Sequence, residues 1–167
     1  NLGLVVADVS GKGVPASLIM ASVRAALRAT VDNVYYLYEV MRRVNGMLCR
    51  DTRPEEFVTL FYGVLDARNR RLTYCNAGHP PGLLRRGDQL IELASDNMVL
   101  GVDPNEQYRQ SVIDLKAGDT LLLYTDGLTD AANFENERYG RQRLLGAYQD
   151  EGRVAETPET TPDYSYV

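Results

Sequence analysis

The chain has 167 residues, of which 23 are acidic and 18 basic, giving a formal charge of −5. That length suits one domain with a proper core, and the acidic balance argues against a general nucleic-acid binder. Cys49 and Cys75 lie far apart without metal-ligand spacing, and no apolar run reads as a membrane span or signal peptide, so a cytoplasmic protein with free thiols is expected.

The spacing predicts a strand over Leu2–Val9 that stops at Asp8, passes through the turn Ser10-Gly11-Lys12-Gly13 and enters a helix with Pro15 in its first turn. A phosphate-cradling P-loop is excluded, because it needs Gly where Val6 stands and Ser or Thr where Gly13 stands. A dinucleotide fingerprint is excluded too, since the acidic ribose ligand expected about twenty residues on is absent from a stretch that is still helical. Helical spacing then covers Val14–Thr30 and Val34–Arg50, with a break at Asp32 and Asn33.

Strands are expected at Phe57–Leu65 and Arg71–Asn76, then as a second hairpin at Gly82–Arg86 and Gln89–Leu93. Gln110–Leu115 and Thr120–Tyr124 read as a further pair around Lys116-Ala117-Gly118-Asp119. Short connections imply largely antiparallel sheets. The segment Tyr124-Thr125-Asp126-Gly127 repeats the opening theme, an apolar strand ending at Asp then Gly, and a helix over Tyr139–Tyr148 follows. Residues 1–150 thus form one domain, and 151–167, rich in Glu, Thr and Pro, read as a disordered or loosely docked tail.

Two strand-end carboxylates without a Cys or His cluster make a hard oxygen site, suited to magnesium or manganese and to metal-assisted phosphoester hydrolysis. Turn formation is the bland reading of Asp8 and Asp126. His79, the single histidine, suggests general acid chemistry, but a histidine between Gly and two prolines more often fixes a loop by hydrogen bonding. Lys12 offers a point charge to a phosphate, or is simply a solvated turn residue. Asp130 is read either as a carboxylate supporting the site or as a helix-start cap.

The motifs Asp8-Val9-Ser10-Gly11-Lys12-Gly13-Val14-Pro15-Ala16, Asn76-Ala77-Gly78-His79-Pro80-Pro81, Leu100-Gly101-Val102, Gly118-Asp119 and Tyr124-Thr125-Asp126-Gly127-Leu128-Thr129-Asp130-Ala131 occur in order. Together they resemble the bacterial PPM-type (protein phosphatase 2C-like) serine/threonine phosphatases, in the branch of sporulation stage II protein E and the sigma-factor regulators. The resemblance implies an α+β fold, an α-β-β-α sandwich of two largely antiparallel sheets flanked by helices, of which the domain at 1–150 is expected to lack the first and the last elements. It implies hydrolysis of phosphoserine or phosphothreonine on a protein such as an anti-sigma factor antagonist, by attack of a water bridging two Mn²⁺ or Mg²⁺ ions.

Carried over by position, Asp8 resembles the bridging carboxylate, the Val9 backbone carbonyl a neighbouring ligand, and Asp126 a ligand of one ion. Ser10, Gly11, Lys12, Asn76, His79, Gly127 and Asp130 fall near the site or the substrate, with Gly11, Gly13 and Gly127 letting the chain turn without crowding an ion. The family's first acidic segment would lie before Asn1, where a sensor domain is also expected, and its closing Asp pair has Asp163 as nearest counterpart. The rival reading is a catalytically incomplete phosphatase-like module that binds a phosphorylated partner or serves as a scaffold, with neither nucleic acid nor membrane as partner.

Overall fold

A computed structural model gives the fold, and the description covers residues 1–31, 34–53, 55–94 and 97–150. The break at Asp32 and Asn33, Asp163 and the expected tail lie outside the described residues. The elements run β1 (Leu2–Val9), α1 (Val14–Val31), α2 (Leu37–Asp51), β2 (Val58–Asp66), β3 (Arg71–Ala77), β4 (Gly82–Arg86), β5 (Gln89–Leu93), β6 (Ser111–Asp114), β7 (Thr120–Leu122), α3 (Asp126–Asp130) and α4 (Arg141–Asp150). One sheet has the order β1-β2-β3-β6 and the other β5-β4-β7, with every strand pair antiparallel.

Side-chain alternation along β2 shows why the layers stack. Val58, Leu60 and Tyr62 face the helices, packing with Val23 and Leu27 of α1 and Val40, Met41, Val44 and Leu48 of α2. Phe61 points the other way, into the gap between the sheets, with Leu72, Tyr74, Leu84 and Leu93; its ring stacks on Tyr74 with centroids 5.5 Å apart. On the far side of the second sheet, Leu83 and Tyr124 pack against Leu144 of α4. The order is helix, sheet, sheet, helix, as expected.

The helices depart from expectation at their ends. α2 begins at Leu37 rather than Val34, because Tyr36 is extended and the unpaired Leu37 N–H is satisfied from afar by Gln110 Oε1 at 3.0 Å. α4 begins at Arg141 rather than Tyr139, since Gly140 adopts φ +78° and its N–H bonds back to Thr129 O at 2.9 Å. By length and composition alone α1 is apolar enough to cross a membrane, which corrects the expectation that no run approaches a span. Here Val23 and Leu27 seat it on the first sheet.

The expected pairing of 110–115 with 120–124 does not occur. β6 pairs with β3 in one sheet and β7 with β4 in the other, so the turn between them crosses from sheet to sheet. The crossing is fixed by Arg86, whose Nε and Nη2 donate to Asp119 Oδ1 and Oδ2 at 3.0 and 2.6 Å, while Nη2 also donates to Asp114 O at 2.8 Å. The Lys116 N–H closes the turn on Asp119 Oδ2 at 2.8 Å. The cysteines are free, and burial pushes the Cys75 thiol up to about 12, which makes it an apolar packing group.

Candidate metal centre

Asp8 lies in β1 with the same parity as Leu4, which packs between the sheets, while Ala7 and Val9 face the helices. Its side chain therefore lies on the inter-sheet side of β1. Val9 stands opposite Val58, whose backbone N–H and C=O both bond to Leu100 at 2.9 and 2.8 Å. The Val9 carbonyl consequently points away from β2, out from the side of β1 that pairs with no strand among the described residues. Asp126 comes from the other sheet, as the exposed first residue of α3 just beyond β7.

The imidazole of His79 joins these two halves. It is 5% exposed, with Nε2 3.0 Å from the Tyr124 carbonyl oxygen and Nδ1 2.9 Å from Thr59 Oγ1. A carbonyl only accepts, so Nε2 carries the proton, and the Thr59 hydroxyl donates to Nδ1. Burial lowers the His79 pKa, whereas the Tyr124 carbonyl and the nearby negative charges of Asp8 and Asp126 oppose that fall. Both carboxylates therefore lie within electrostatic reach of one ring.

Asn76, buried at the end of β3, holds the His79 backbone from both sides: Oδ1 accepts from its N–H at 2.8 Å and Nδ2 donates to its C=O at 3.0 Å. Asn97 Nδ2 in turn donates to Asn76 O at 3.0 Å. Gly78 sits at φ +65°, and a Cβ there would run into the Val99 side chain, so the turn favours glycine. Gly11 and Gly13 also have positive φ, but open space surrounds their Cβ positions; they serve the turn's conformation rather than a close approach.

The remaining expected residues divide. Ser10 fixes the first loop, its Oγ accepting from Phe57 N at 2.8 Å and donating to Glu55 O at 3.2 Å. Lys12 is exposed in the turn. Gly127 lies inside α3, where helical geometry asks for no glycine. Asp130 ends α3 rather than starting a helix, and its carboxylate pairs with Arg138 Nη1 at 3.0 Å, which corrects the capping expectation. Thr59 and the Tyr124 carbonyl were not anticipated. A lone hydroxyl in the apolar run Val58-Thr59-Leu60-Phe61 was the available signal.

The donor set is oxygen only, which fits a hard divalent cation. Among the described residues no group of three His, Cys, Asp or Glu side chains comes together. Two concavities, of about 500 and 330 Å³, lie beside α2 and beside α3, and neither is lined by Asp8, His79 or Asp126. The carboxylates stand at an open sheet end.

The model of the stage II sporulation protein E (SpoIIE) family matches residues 1–164. The chain is 29% identical over 150 residues to phosphoserine phosphatase RsbU of Bacillus subtilis, covering 87% of this chain and 44% of RsbU. It spans less than half the length of the curated relatives it matches. The RsbU and RsbW domains of Rv1364c from Mycobacterium tuberculosis superpose with a TM-score of 0.75 at 29% identity, over 92% of this chain and 43% of that one. The catalytic domain of PstP, a serine/threonine protein phosphatase in complex with two manganese ions, has the same fold, with a TM-score of 0.61 at 19% identity over 91% of this chain and 83% of that one.

Proposed function

The chain belongs to the SpoIIE family of bacterial PPM-type phosphatases, and from that membership we propose that it is the metal-dependent part of a phosphoprotein phosphatase. The supporting observation is that Asp8, at the end of β1, and Asp126, just beyond β7 of the other sheet, both act by their charge on the one imidazole of His79. Asp8, the Val9 carbonyl and Asp126 are the groups that would hold Mn²⁺ or Mg²⁺. Bound there, such an ion supplies polarisation of a phosphoryl oxygen and acidification of a water.

The chain's own residues arrange the rest. Gly11 and Gly13 bend the first loop clear of the sheet end, leaving Lys12 exposed beside it to attract a phosphate as a point charge. An open sheet end suits a phosphoserine or phosphothreonine carried on a protein surface better than a small metabolite, which calls for a concave pocket. The name of RsbU, a phosphoserine phosphatase, supports the same substrate class. An anti-sigma factor antagonist is the proposed partner, an upstream sensor domain the proposed input, and the cytoplasm the proposed location. Residues 1–150 are the proposed phosphatase unit.

A second reading is favoured by one observation: two carboxylates without a third side-chain ligand among the described residues. On that reading the chain is a phosphatase-like module that binds a phosphorylated partner without turnover. Manganese calorimetry and release of phosphate from a phosphoserine protein, on the chain and its Asp8→Asn and Asp126→Asn variants, separate the two. Binding and turnover abolished by either substitution support the enzyme; a folded chain that binds a phosphoprotein but neither metal nor turns over supports the module.

A further inference from the structure

We propose that His79 is a positioning residue, which sets the spacing between the Asp8 and Asp126 carboxylates by joining Thr59 on one sheet to the Tyr124 carbonyl just beyond β7 of the other. It rests on the reading that those carboxylates hold the metal. Asp8 and Asp126 share neither a strand nor a sheet, so the spacing between them is as rigid as the ties between the sheets near them. Thr59 is the direct ladder partner of Asp8, and Tyr124 is two residues before Asp126. One imidazole, 2.9 Å from the first and 3.0 Å from the second, spans both.

The bridge is itself rigid. Asn76 grips the His79 backbone at both N–H and C=O, and Asn97 in turn donates to the Asn76 carbonyl. Asp126, in contrast, has little support of its own: α3 is one exposed turn, and its Thr125 cap makes no side-chain hydrogen bond. Backbone bonds from Gly140 N to Thr129 O and Tyr139 N to Ala131 O tie down only its far end. The near end is held at Tyr124, by its buried ring, which packs with Leu83 and Leu144, and by its carbonyl, which accepts from His79. General acid chemistry by His79 is disfavoured by the same contacts, since each ring nitrogen already has a buried partner and neither is left to meet a leaving group.

Partners of this kind commonly change metal affinity by 10–100-fold, about tenfold being the modest end. The test compares the metal-free chain with His79→Gln, Thr59→Val and Thr59→Ser by amide hydrogen exchange, melting temperature and Mn²⁺ calorimetry. His79→Gln and Thr59→Val are expected to speed exchange at 125–128 by about tenfold while the amides of β2 stay protected, and to weaken Mn²⁺ binding by about tenfold. Thr59→Ser, which keeps the hydroxyl, is expected to restore both. Should His79→Gln not fold, Thr59→Val decides. Exchange at 125–128 that is unchanged in the folded variants, or that rises only together with that of β2, overturns the proposal. If the unaltered chain binds no Mn²⁺, the metal reading fails, and the exchange comparison still decides whether His79 positions Asp126.

Discussion

Asp8 stands directly opposite Thr59 in the β1–β2 ladder, and the Thr59 hydroxyl lies 2.9 Å from the imidazole that also bonds the Tyr124 carbonyl just beyond the far sheet. The carboxylate and the cross-sheet tie thus share one rung. That rung places the carboxylate at a strand end, where turn chemistry, packing and ligation all compete for it. Packing is settled: Asp8 is half-buried on the inter-sheet side, beyond the leucines of the apolar gap.

Asp8→Asn and Asp126→Asn separate ligation from structure. Each removes one negative charge without changing shape, and divalent affinity follows the number and charge of oxygen ligands. We expect each to weaken Mn²⁺ binding by at least about tenfold while the melting temperature of the metal-free chain stays level. A calorimetric titration on both variants checks this. Unchanged affinity in either one removes that residue from the ligand set.

The turn after Leu100 is held by a single buried side chain. Asn45, on α2, donates through Nδ2 to Asp103 O at 2.8 Å and accepts through Oδ1 from Gly101 N at 2.8 Å. Asn45→Ala strands the buried Gly101 N–H and frees the half-buried Asp103 carbonyl, at about 1–3 kcal/mol for a buried group left without its partner. Urea unfolding should show a lower midpoint with an unchanged slope. A shift smaller than about 0.5 kcal/mol would mean that water replaces the amide.

The sheet-to-sheet turn makes an acid-sensitive clamp. The Arg86 guanidinium, with the Lys116 N–H, holds the Asp119 carboxyl below its ordinary value. A carboxyl depressed in the folded state stabilises it above its unfolded pKa, here near 3.8, and that contribution is lost as pH falls through the folded value. Acid unfolding monitored by circular dichroism should begin at higher pH in Arg86→Met than in the unaltered chain, since Asp119 then protonates earlier. Coincident acid transitions would show that the pair does not hold the sheets together.

Strand content was legible where periodicity is local. β1, β4 and β5 have the bounds that alternation and turn residues gave, because each closes on a neighbour two to five residues away or ends at a polar turn. The pairing of β6 and β7 was not legible, since Lys116-Ala117-Gly118-Asp119 reads alike whether it folds within a sheet or between two. Arg86, which decides the matter, lies 33 residues from Asp119. The same holds at the site: strand-end carboxylates are visible in the letters, but the partnership of Thr59 with His79 arises only when β2 and the Asn76 turn come together.

His79 gives the last prediction, and its sign follows from burial. The ring loses water on folding, so its folded pKa falls below the unfolded value of 6.5 despite the pull of Asp8 and Asp126. A base neutral in the folded state and protonated in the unfolded one stabilises the fold above pH 6.5; as pH drops below that value and toward the folded pKa, the stabilisation is lost. Guanidinium unfolding of the metal-free chain between pH 7.5 and 5.5 should therefore show a falling midpoint. His79→Gln does not titrate and should flatten that dependence. Asp8→Asn removes a charge that favours the imidazolium, so its decline should be steeper than that of the unaltered chain. Parallel declines in all three proteins would assign the pH dependence to other groups, and would mean that the imidazole is better hydrated than its contacts with Thr59 and Tyr124 imply.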